Sequence, residues 1–109
     1  MHRAPVLLIP CFAGRVDNAV ENSSLQQASH YGSLLPAVWS FMLAARAWGL
    51  GTCWATLHLF FEEEAASLLG IPYEAVTQAA LIPVAHILGD GLRRGPRISL
   101  DEILHVNGW

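Results

Sequence analysis

Between Leu34 and Trp48 only Ser40 and Arg46 are strongly polar, and this stretch dictates much of what the chain must do to fold. On a helical period Leu34, Val38, Phe41, Met42 and Ala45 form one stripe, while Trp39, Leu43, Ala44 and Ala47 form another on the far side. A helix that is apolar all round has to be covered all round. The 109 residues suffice for one domain and not for two, so a partner subunit packed on the exposed flank is expected. The sequence predicts a helix from Ser33 to Trp48, with Ser33 as N-cap and Pro36 in the first turn, where its missing N–H matters little. Gly49 and Gly51 end it. It stops short of the roughly 20 residues a membrane span requires and reads as a buried helix of a soluble protein with no membrane role.

Composition sharpens the same point. Hydrophobic residues make up 53% of the chain and charged residues 14%, more apolar than a small monomer needs. An obligate dimer, a complementary segment or a membrane would absorb the surplus. The formal net charge is −3, and the six basic residues are all arginine. Without a basic block there is no footing for nucleic-acid binding. Cys11 and Cys53 lie far apart and form no paired motif, so free thiols in a reducing cytoplasm are expected. The apolar run Val6–Ile9 ends at Pro10, too early for a signal peptide.

Elsewhere, Val6 to Phe12 reads as a strand buried on both faces, bounded by Pro5, Pro10 and Gly14. Arg15 to His30 is the polar part of the chain and is expected to form a surface loop with a helical turn or two. Thr52 to Thr56 reads as a second strand. Glu62, Glu63 and Glu64 open a short helix, where carboxylates suit the positive end of the backbone dipole. It closes at Gly70, with Ile71 and Pro72 beyond. Ala79 to Ile87 is a third apolar strand, and Ser99-Leu100-Asp101-Glu102 has the pattern of a capping box starting a last helical turn. Strand, helix, strand, helix, strand and tail make an α/β or α+β domain.

Few residues carry recognisable chemistry on spacing alone. His2, His30, His58, His86 and His105 have no metal-ligand spacing, so no metal site is expected. Gly32-Ser33-Leu34-Leu35-Pro36 is not a nucleophile elbow, because the serine lacks its second glycine. Gly49-Leu50-Gly51 follows a helix, where a dinucleotide loop would follow a strand. The triple glutamate reads as a solvated, dipole-matched face. Arg93, Arg94 and Arg97, set among glycines, either grip a phosphate bidentately or form a solvated loop.

In order, Tyr31-Gly32-Ser33-Leu34-Leu35-Pro36-Ala37-Val38-Trp39 and Leu43-Ala44-Ala45-Arg46-Ala47-Trp48-Gly49-Leu50-Gly51-Thr52 resemble the central helix and following strand of the nitroreductase family. Leu68-Leu69-Gly70-Ile71-Pro72 and Ala80-Leu81-Ile82-Pro83-Val84 continue the resemblance. The tail from Arg97 to His105, with Gly108-Trp109, resembles that family's closing segment. The resemblance is to the C-terminal half of the family. An Arg- and Ser-containing FMN segment near the family's N-terminus has no counterpart here.

The resemblance implies an α+β fold arranged as a three-layer sandwich, truncated in this chain, and an intertwined homodimer through the Ser33–Trp48 helix. It implies FMN as cofactor and NAD(P)H as electron donor, with nitroaromatics, quinones or similar acceptors as substrates in a ping-pong cycle. It assigns Thr56, Leu57 and His58 to the flavin ring, where a donor near N5 would stabilise the reduced form. The alternative for Thr56 is that it merely ends a strand. Arg97, with Arg94 second, is assigned to the FMN phosphate. The segment without a counterpart carries a contrary expectation, a flavin-free remnant that dimerises or pairs with a complementary segment.

Overall fold

A computed structural model describes residues 3–16, 24–89 and 93–109. The readings of Asp17, Asn18, Glu21, Asn22 and Ser23 as loop lie outside them. The apolar run Val6–Phe12 is not one strand. It divides into β1 (Val6–Leu8) and β2 (Cys11–Ala13), which belong to different sheets. Pro10 has no N–H to give a ladder, while its carbonyl accepts the Ala79 N–H at 2.9 Å. The chain thus changes sheets at this point. Nor is the run buried on both faces, since Val6 and Leu7 are about half exposed.

The long helix α1 runs from Ser24 to Ala47, nine residues earlier than its apolar pattern announces. Ser33 is therefore not an N-cap. It sits inside the helix and donates its hydroxyl hydrogen to the His30 carbonyl at 2.7 Å. Pro36 likewise lies inside the helix. Its ring would crowd the carbonyl of residue 32, and that residue is a glycine. Gly49 closes the helix at φ +75°, the left-handed conformation that favours glycine. Gly51 is no part of that stop. It belongs to β3 (Leu50–Thr52), where an added Cβ would fall 2.9 Å from Ile87.

The strand expected over Thr52–Thr56 is thus β3, two residues earlier and shorter. Beyond it Ala55 and Leu81 exchange an isolated pair of backbone hydrogen bonds, 3.1 and 2.8 Å. A 3₁₀ turn over Leu57–Phe61 leads directly into α2 (Glu62–Leu69). Gly70 closes α2 at φ +69°, with the Ile71 N–H returning to the Ala66 carbonyl at 2.9 Å, as its sequence predicts. A 3₁₀ turn at Tyr73–Ala75 then leads into β4 (Val76–Gln78), a strand the sequence pattern does not reveal. The run Ala79–Ile87 supplies only β5 (Ile82–His86). In the tail Leu100–Glu102 forms a 3₁₀ turn, and the Ser99 side chain does not cap it.

The result is a mixed α+β fold with two antiparallel sheets among the described residues, β1-β5-β3 and β2-β4. The core lies between α1 and the three-stranded sheet. Val38 of α1 meets Ala80, Ile82 and Val84, with Leu8, Leu34, Met42, Leu50 and Trp54 packed around them. Ile82 is fully buried, which contributes about 3 kcal/mol. The opposite sheet face, bearing Pro83 and Ala85, opens on an apolar concavity of about 690 Å³ that Pro5, Cys53 and Leu88 also line. Only Val38 and Ala45 of α1 are buried; Trp39, Phe41 and Leu43 are exposed. No helix among the described residues is long and apolar enough to cross a membrane.

Candidate functional site

The link between β3 and α2 carries the three residues singled out for a ring ligand. Thr56 precedes the 3₁₀ turn and accepts the Leu59 N–H on its carbonyl at 2.9 Å, while its hydroxyl caps nothing. It does not end a strand, since β3 stops at Thr52. Leu57 is 70% exposed, and Phe60 and Phe61 are exposed beside it. His58 differs from its neighbours. It is half-buried, and neither ring nitrogen reaches solvent or has a hydrogen-bond partner among the described residues. Burial pushes its pKa down from 6.5, an effect that the nearby Glu62 carboxylate opposes.

Glu62, the first residue of α2, anchors this link to the rest of the fold. It is not the solvated helix-start carboxylate its sequence context implies. Arg15 grips it with a two-pronged fork, Nη1 to Oε1 at 3.0 Å and Nη2 to Oε2 at 3.1 Å. The Arg15 side chain is 5% exposed and that of Glu62 15%. The same guanidinium donates to the Tyr73 and Val76 carbonyls and lies 4.0 Å above the Tyr73 ring. Gln78 completes the site from β4: its backbone N–H donates to Glu62 Oε1 at 2.8 Å, and its side-chain Nε2 to the Glu62 carbonyl at 3.0 Å. Gln78 is 1% exposed, and its Oε1 has no partner among the described residues. Cys11, opposite Gln78 across the β2–β4 pair, has its thiol pKa raised by burial and then by Glu62.

Sequence reasoning missed this cluster. Arg15 falls in a polar stretch that reads as surface loop, and Glu62 sits among three glutamates, so neither residue looks buried. Their pairing spans 47 positions, and no local pattern marks it.

The tail arginines sit apart. Arg93, Arg94 and Arg97 are all exposed, and Arg97 Nη1 donates to the adjacent Pro96 carbonyl at 2.9 Å. Among the described residues no hydrogen bond or ion pair links Arg94 or Arg97 to Thr56, Leu57 or His58. Nor does any group of three or more His, Cys, Asp or Glu there form a potential metal site.

The β3–α2 link thus carries a hydroxyl, a half-buried imidazole and exposed aromatic rings. Comparison with known proteins bears on what such a link serves. No curated protein and no solved structure matches the chain. The family model described as "Nitroreductase family" does, over residues 1–86, a range that takes in β1 to β5 and stops before the arginine tail. With most of its length matched, the chain belongs to the nitroreductase family.

Proposed function

We propose that this chain forms an FMN-binding oxidoreductase unit, taking electrons from NAD(P)H and passing them to nitroaromatic, quinone or similar acceptors. The observation that carries the reading is the family match across the β3–α2 link, where His58 keeps two buried ring nitrogens unpaired. FMN supplies the electron chemistry when bound; the residues supply orientation and polarity. Thr56 offers a hydroxyl to the polar edge of a ring, and neutral His58 brings one N–H and one lone pair to the same link. Leu57 and Phe60, both exposed, offer apolar surface to its flank. Arg97 and Arg94 offer guanidinium forks for the phosphate.

The unit acts as a homodimer through α1, whose Trp39, Phe41 and Leu43 are exposed in the single chain. The three-layer sandwich would be completed by cover over the sheet face that carries Pro83 and Ala85.

The test is the visible spectrum of the purified chain after FMN addition and desalting, with its mass in solution. Retained flavin on a dimer, bleached by NAD(P)H and restored by a quinone, is the expected result. A colourless dimer would overturn the cofactor assignment and leave a flavin-free interaction unit.

A further inference from the structure

The proposed function makes no use of the most heavily bonded side chain described in the molecule. Arg15 ties together three segments that are remote in sequence: its own, just after β2; the start of α2; and the Tyr73–Val76 stretch leading into β4. Glu62 is held by both prongs of the fork and by the Gln78 N–H. It is also the first residue of α2, directly after the 3₁₀ turn over Leu57–Phe61. Four positions upstream stands His58, with both ring nitrogens unpaired among the described residues. Phe61, at φ −130° and ψ 40°, breaks the helical path between the two, yet a free carboxylate so near in the chain is a natural partner for an imidazole. Here the carboxylate is committed elsewhere.

We infer that Arg15 is a positioning residue for the Thr56–Phe61 segment: by forking onto Glu62 it holds that carboxylate against β4 and leaves both ring nitrogens of His58 without a partner inside the fold. The guanidinium geometry matters, since a fork engages both carboxylate oxygens and an ammonium engages one. Charge matters too. Glu62 is the charged group that acts on His58. It is itself faced by Arg15 from the segment after β2, by Cys11 from β2 and by Gln78 from β4. Removing Arg15 frees the carboxylate for His58 and takes away a positive charge, and both changes favour the imidazolium. His58 would then carry a proton and a carboxylate partner. What His58 serves rests on the flavin reading above; the coupling of Arg15 to His58 does not.

The experiment is an NMR titration of the histidine ring protons in the flavin-free protein, with His58 assigned by its loss in His58→Gln. In the unsubstituted chain His58 should titrate below 6.5. Arg15→Gln should move that midpoint upward, Arg15→Lys should move it less, and Arg15→Gln combined with Glu62→Gln should bring it back down. The last result separates electrostatic positioning from general loosening of the fold. If Arg15→Gln does not fold, Glu62→Gln alone decides, and its His58 midpoint should fall below that of the parent. A midpoint indifferent to Arg15, or to Glu62, would overturn the inference. FMN binding is measured on the same proteins, with at least tenfold weaker affinity expected for Arg15→Gln and partial recovery in Arg15→Lys. A parent that binds no flavin defeats the proposed function, while the titration still decides the role of Arg15.

Discussion

At the scale of single residues, His58 has a direct consequence for stability. Burial holds its folded-state pKa below 6.5 despite the opposing Glu62 charge, so the folded protein prefers the neutral ring more strongly than the unfolded chain does. The unfolded state therefore binds more protons as pH falls through that value. The stabilisation from His58 is complete above pH 6.5, declines as pH drops below it, and stops declining once the folded-state pKa has been passed. Urea midpoints at pH 7.5, 6.5 and 5.5 should fall more steeply in the parent than in His58→Gln. Parallel profiles would show that the ring is not held neutral by the fold. His58 is nameable from sequence, because the family resemblance points to the segment that holds it. Arg15 and Glu62 are not, because burial of a charged pair is decided by where distant segments meet. Arg15 has polar neighbours in sequence and Glu62 acidic ones, and both clues point to solvent.

Among the elements, those read correctly are the ones whose signals are local. Gly70 stops α2 because its own φ and the return of the Ile71 N–H are set within a few residues. Gly49 stops α1 in the same way. The start of α1 was hidden because its first turns are exposed and polar, so no apolar stripe marks them. Pro36 then resembled a first-turn proline. The short strands β2 and β4 escape notice because three-residue pairings are selected by tertiary contact and not by a run of their own. The interior position of Pro36 has a measurable outcome. It removes one intrahelical hydrogen bond, at a typical cost of about 3 kcal/mol relative to alanine, while its rigidity restrains the unfolded chain by about 0.4–1 kcal/mol. Pro36→Ala should therefore stabilise the protein by about 2 kcal/mol and raise the far-UV helical signal. No change in the urea midpoint would mean that α1 is bent at Pro36 to fit its packing, and that straightening it sacrifices contacts elsewhere.

For the whole molecule, the excess apolar character read from sequence reappears as excess surface. The chain exposes 8515 Å², about 2,500 Å² more than a compact monomer of its mass. Its radius of gyration is 17.0 Å, against about 13 Å for a compact domain of this length. Its extents of 47 × 43 × 21 Å describe a flattened body. The tail contributes, with Ile98, Leu100, Ile103, Leu104, Val106 and Trp109 all exposed. Part of this surplus is what the proposed dimer would have to cover. On the outer flank of α1, Trp39 is 56% exposed, and with Met42, Leu43 and Arg46 it lines a shallow concavity of about 250 Å³. A large aromatic anchor over such a hollow is the kind of residue that dominates an interface, contributing about 2–4 kcal/mol on truncation. Trp39→Glu should therefore weaken self-association by about 100-fold, read by sedimentation equilibrium. Because Trp39 makes no part of the buried core, far-UV circular dichroism should hardly change. Loss of the dimer together with loss of helix would mean that α1 folds only when its flank is covered. An unchanged dimer would move the interface off α1, to the tail or to the sheet face that carries Pro83 and Ala85.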